Sequence, residues 1–173
     1  MTAVVDGTSG FSLDGNRIRP LTLGTAQSTT SGTTFDFTGI PSWANRITVS
    51  FNEVSTSGST NTQIVLGTSG GFETSGYVHQ IAAIVTASAS TSSWTSGFVV
   101  GSMVGTNTGS GQVILTRVSG NTWACSGVIK CSTSQVNYIA GAKTLSGALD
   151  RVRINCTTGT DAFDAGSVNI MYE

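Results

Sequence analysis

Hydrophobic and polar positions alternate with a period of two along much of this chain. In RITVSFNE, Ile47, Val49 and Phe51 fall on one side, and Thr48, Ser50 and Asn52 on the other. DRVRINCT repeats the pattern with Val152, Ile154 and Cys156 against Arg151, Arg153 and Asn155. SVNIMYE does so with Val168, Ile170 and Tyr172. A pleated strand with this alternation buries one face and wets the other, the mark of antiparallel sheet. Further strands are predicted at TTFDFT, TQIVLG, HQIAAIVTA, GFVVGSMV, QVILTRV, TWACSGVIK and YIAGAKTL. Turn-forming clusters separate them: TSGST, TSGG, TNTGSG, SGN and TTGTDAFDAG. About ten short strands at this spacing predict an all-β protein, an antiparallel β-sandwich or jelly roll. Only IPSWANR suits a helical turn, with Ser42 as its cap.

The first twenty residues differ. MTAVVDGTSGFSLDGNRIRP has little alternation, two Asp-Gly turns and a Pro20 that interrupts pairing. It reads as an amino-terminal arm over 1–20, leading into a β-sandwich domain over 21–173. The alternative is an ordinary first strand pair within the same domain. The arm carries few charges and several apolar residues, Val4, Val5, Phe11, Leu13 and Ile18, suited to docking on a neighbouring protein by strand addition.

Composition narrows the function classes. Only 10% of the 173 residues are charged, the net charge is -1, and Ser plus Thr make up roughly 30%. A hydrophobic fraction of 38% argues against a disordered linker. No basic cluster exists to capture a nucleic-acid backbone, and no apolar run is long enough for a membrane-spanning helix. The amino terminus lacks the basic and apolar regions of a secretory signal. Cys125, Cys131 and Cys156 are odd in number and lack zinc-ligand spacing, so they read as small buried hydrophobes. Cys125 and Cys131 are expected on one strand, roughly 20 Å apart and too far to bridge, while Cys156 faces either across a sheet. No metal or cofactor motif is present.

One stretch suggests chemistry. Gly67-Thr68-Ser69-Gly70-Gly71 matches the G-x-S-x-G of a nucleophile elbow and nearly spells the serine motif of trypsin-like proteases. The elbow requires a helix after the serine, and GGFETSGYV is a poor one. His79, the single histidine, lies ten residues after Ser69 with Glu73 the only acid between them. Neither the chain order of α/β-hydrolases nor that of trypsin-like enzymes is met. A glycine-rich turn between strands, and a protein that is not an enzyme, is the expectation. Asp161 and Asp164 lack the spacing of a calcium loop and are expected in a solvated hairpin loop. Asn155-Cys156-Thr157 fits a glycosylation pattern but falls inside a predicted strand.

The aromatic residues offer a binding surface instead. Trp43, Trp94, Trp123, Phe72, Tyr77 and Tyr138 include several beside turns, where ring faces stack on sugars and Ser/Thr/Asn/Gln edges hydrogen-bond them. Trp94 in STSSWTSGF and Tyr77 in TSGYVHQ are the expected exposed, glycan-contacting pair. The alternative assigns each ring to an end of the core or to a subunit contact.

The stretches TTSGTTFDFTGIPSWANRITVSFNEVSTSG, VLGTSGGFETSGY and LSGALDRVRINCTTGTDAFDAGSVNIMYE resemble a domain of tailed-bacteriophage and prophage tail-fibre proteins, usually found at the carboxy-terminal end of a fibre. The similarity extends over roughly residues 21 to 173. It implies a β-rich virion structural protein at the virion surface, made in the host cytoplasm, homotrimeric, and contacting host glycan or protein. Three-fold closure would also cover sheet edges that carry few of the usual Lys and Pro guards. Only about twenty residues precede the domain, so no long shaft is expected, and the arm is expected to attach to another virion protein. That departure keeps a second reading in view, a capsid decoration or head-fibre protein with no receptor.

Overall fold

The computed structural model describes residues 20–173 throughout and, within residues 1–19, only the backbone of three short strands. These are β1 (Ala3–Asp6), β2 (Gly10–Leu13) and β3 (Asn16–Ile18), which pair antiparallel as a sheet of their own. Val5, Phe11 and Ile18 share one register row. The side chains of these residues, and of Val4 and Leu13, lie outside what the structure describes.

In chain order there follow β4 (Thr22–Leu23), β5 (Gln27–Ser28), β6 (Thr34–Thr38), β7 (Arg46–Thr56), β8 (Asn61–Thr68), β9 (Gly71–Phe72) and β10 (Tyr77–Val85). Then come β11 (Ser88–Trp94), β12 (Phe98–Ser102), β13 (Gly109–Ser119), β14 (Thr122–Lys130), β15 (Gln135–Thr144), β16 (Arg151–Cys156) and β17 (Phe163–Tyr172). No helix occurs among the described residues. IPSWANR makes a single tight turn, closed by Ala44 N–H donating to the Pro41 carbonyl at 2.9 Å.

The larger sheet runs β11-β10-β15-β14-β13-β7-β17-β4, with β5 also paired to β17, and the smaller runs β12-β8-β16-β6, with β9 on β8. Four antiparallel pairs nest in the chain. Innermost is β10 with β11; around it come β8 with β12, β7 with β13, and β6 with β16. Alternate pairs of this nested hairpin fall into opposite sheets, which is the winding of a jelly roll. The alternatives left open by the sequence thus resolve to a jelly roll. A β13-β14-β15 meander occupies the place of one strand, and β17 and β4 extend the sheet beyond β7.

The alternation read from the sequence sets which faces meet. Ile47, Val49, Val113, Leu115 and Ile129 point from the larger sheet onto Ile64, Leu66, Phe98, Val152 and Ile154 of the smaller, and all are fully buried. Each such side chain is worth at most about 1.5–3 kcal/mol relative to exposure.

Two expectations need correction. TTGTDAFDAG is a turn only in its first half, because β17 begins at Phe163. Phe163 is buried and packs edge-on against Phe35 at 5.1 Å, so the segment is drawn into the core through two β-bulges opposite β7. Its acids are partnered accordingly. Asp161 accepts from the Thr60 amide and hydroxyl at 2.9 and 2.5 Å, and Asp164 accepts from the Ser55 hydroxyl. The second correction is that Cys131 lies just past the end of β14 and not on the strand that holds Cys125. All three thiols are free and buried.

Candidate functional site

Ser69 sits in the tight β8–β9 turn, exposed, where Gly71 takes φ 138° without a side-chain penalty. The Ser69 carbonyl accepts from Arg151 Nη2 at 3.2 Å. His79 belongs to β10 and is buried, 2% exposed. Its Nε2 lies 3.0 Å from the Val99 carbonyl and its Nδ1 3.2 Å from that of Ala140. Each ring nitrogen faces a backbone carbonyl, one from each sheet, so a neutral imidazole donates to only one of them, and neither nitrogen reaches Ser69. Burial holds its pKa below the ordinary 6.5, against the opposing pull of the two carbonyls.

Tyr77 is not the exposed glycan contact that its neighbouring turn suggests. It is 2% exposed, packs edge-on against Phe98 at 4.9 Å, and its hydroxyl oxygen accepts from the Leu66 amide at 2.7 Å. Burial pushes its phenol well above the usual tyrosine range. The cause is register: Tyr77, His79 and Ile81 share the inward face of β10, so a ring beside a turn is still a core ring. Above it lies Lys143, whose Nζ is 5.5 Å from the Tyr77 centroid and 2.6 Å from Glu73 Oε2. Partial burial raises the Glu73 carboxyl, but hydrogen bonds from Lys143 and Ser146 outweigh it and leave its pKa below the ordinary 4.5.

Trp94 does reach a surface. At the end of β11 it stands directly opposite buried His79, so its ring shares the inward side of that strand pair and lines an edge hollow of about 140 Å³ with Asn61, Ser92, Ser102, Gln135 and Asn137. The indole packs partly against the core, and its Nε1 is enclosed without a protein acceptor. What the hollow sees of Trp94 is therefore ring hydrocarbon, with Asn61, Ser92, Ser102 and Gln135 around it. No charged side chain lines it. Such a surface suits a neutral polyhydroxylated ligand: apolar ring faces stack, and amide and hydroxyl groups exchange hydrogen bonds.

Tyr138, one of the six rings named from the sequence but not singled out as a contact, is 49% exposed in the middle of β15. It borders three hollows on the outer face of the larger sheet. The available signal was strand phase. In QVNYIAGAK either Val136 and Tyr138 or Asn137 and Ile139 must face out, and the structure turns the second set inward.

Comparison of the chain with known protein families, with curated proteins and with solved structures finds no match.

Proposed function

We propose that this chain is a bacteriophage virion structural protein, a short tail-fibre or tail-tip component that works as a homotrimer and binds the host-cell surface. The reading draws on the resemblance of its FDFTGIPS and FDAGS-containing stretches to tail-fibre domains, together with a jelly roll whose Trp94 hollow has no charged lining. The observation that carries it is the Trp94 hollow, with ring hydrocarbon beside Asn61, Ser92, Ser102 and Gln135 and no ionisable side chain. Neutral surface glycan is the ligand class that such a lining accommodates. The arm over 1–20, with Val4, Val5, Phe11, Leu13 and Ile18 on its three strands, is the proposed attachment to a neighbouring virion protein.

The test is competition. Purified protein is expected to block adsorption of the parent phage to its host in a saturable way. Trp94→Ala and Ser92→Arg should each weaken that competition roughly tenfold or more, since single interface anchors carry effects of that size. A protein that never competes, while its deletion destabilises particles, would replace the fibre reading with capsid decoration.

A further inference from the structure

The outer face of the larger sheet is built against the usual rule that such a face is polar. On β10 the outward residues are Val78, Gln80, Ala82 and Ile84, and their cross-strand partners on β15 are Ala142, Ala140, Tyr138 and Val136. The next row, on β14, is Ala124, Ser126, Val128 and Lys130. Opposite these on β13 lie Thr116, Ile114, Gln112 and Ser110. Val78, Ile84, Val128 and Tyr138 are all substantially exposed. In β15 the phase is inverted: buried Asn137 and Lys143 face the core while Val136, Tyr138 and Ala140 face out. Burial within one chain does not account for that distribution.

Charge is confined to the rim. Across these rows and the adjoining Arg46, Thr48 and Ser50 of β7, only Lys130 and Arg46 are ionic. Both stand at strand ends and both are already engaged, Lys130 with Glu53 at 4.0 Å and Arg46 with Glu173. From β11 to β7, six strands at ~4.8 Å spacing and about eight residues at ~3.3 Å make a patch on the order of 750 Å². That approaches the ~800 Å² per partner of a standard stable interface.

We infer that this face, centred on Tyr138, is where copies of the chain meet. A second copy fits better than a charged partner. An uncharged face offers no steering to an acidic or basic protein, while two chains of net charge -1 repel one another very little. The centre holds a rigid aromatic and a β-branched side chain, Tyr138 beside Val128 in register, surrounded by Ser, Thr and Gln that seal it from water. The inference names the surface for the self-association proposed above and stands independently of any role in a fibre.

The experiment is light scattering on size-exclusion fractions over roughly a hundredfold range of concentration, with circular dichroism to confirm the fold. Wild type is expected to give a multimer. Val128→Glu and Tyr138→Ser, both on exposed positions, should give folded monomers, with self-affinity weakened roughly 100-fold or more. Thr38→Glu, exposed on β6 of the other sheet, should leave the multimer intact. A wild type that stays monomeric throughout overturns the inference, including the case where it binds glycan through Tyr138. So does a multimer indifferent to both face substitutions. Neither result touches the adsorption test, which reads the Trp94 hollow on the opposite, inward side of β10 and β11.

Discussion

Lys143 Nζ and Glu73 Oε2 lie 2.6 Å apart, with side chains 7% and 21% exposed, and they close one end of the β10–β15 pairing above Tyr77. The two residues come from different kinds of structure. Lys143 faces inward on β15, and Glu73 comes from the short segment after β9. Glu73 also accepts from the Ser146 amide and hydroxyl at 2.8 and 2.7 Å, so one carboxylate organises three groups. Removing it leaves an ammonium almost without water or a partner. Glu73→Ala is therefore expected to destabilise the fold by about 2–3 kcal/mol, somewhat below the ~3–5 of a fully buried pair because Glu73 keeps some solvent. Lys143→Met should cost clearly less, since a similar apolar volume replaces the buried charge. Urea denaturation of the two variants decides it. Equal losses would mean that the pair contributes packing and not charge balance.

His79 makes stability depend on pH in a definite direction. Its folded pKa is depressed below 6.5, chiefly by burial, so the unfolded chain binds a proton more readily than the folded one. Stability rises with pH wherever the unfolded state holds more protons. The contribution is thus complete above about 6.5 and is lost as pH falls from there through the lower folded value. Glu73, also depressed, adds a second loss of the same sign, starting only below its ordinary 4.5. The melting temperature is expected to fall between about pH 7.5 and 5.5, and His79→Gln, which cannot titrate, should flatten that slope. A wild-type curve level across the interval would remove the depressed histidine.

How much of this was legible depends on what each strand borders. β7, β16 and β17 are readable because their inward rows, such as Ile47, Val49 and Phe51 or Val152, Ile154 and Cys156, are apolar, and their outward rows are mostly polar. Even there Thr48 is buried, since β7 lies deep in the sheet between β13 and β17. β11 escaped notice: SASTSSW has no hydrophobic rhythm, and the strand exists because the β10 backbone pairs with it along its whole length. β8 gave the opposite difficulty. Its interior is buried from Thr62 to Gly67, so period two is hidden and only the apolar core of the run marks it as a strand. The candidate site failed on phase. Tyr77 and Tyr138 look alike in sequence, each beside or between glycine-containing segments, and only the pairing of β10 with β15 sends one inward and the other out.

The cysteines give a prediction that tests the core itself. Cys125 and Cys131 are 4% and 1% exposed, and burial pushes both thiols up to about 12, while that of Cys156 is also raised above its ordinary 9.0. Thiolate is the reactive species, so at pH 8 a shift from 9 to about 12 lowers its fraction on the order of a thousandfold before access is considered. Cys131 is further enclosed: its sulfur lies 3.0 Å from Asn137 Nδ2 and contacts the Val100 carbonyl, beneath Gly101, where a β-carbon would come within 2.8 Å of it. Native protein is expected to release almost no thionitrobenzoate over minutes with Ellman's reagent. In concentrated guanidinium it should release three equivalents without prior reduction. Residual native reaction should track the unfolding equilibrium, so Glu73→Ala, which destabilises the fold without replacing a cysteine, should accelerate it in proportion to its lost stability. One equivalent reacting at once in the native state would place a thiol at the surface. Fewer than three after unfolding would reveal a disulfide.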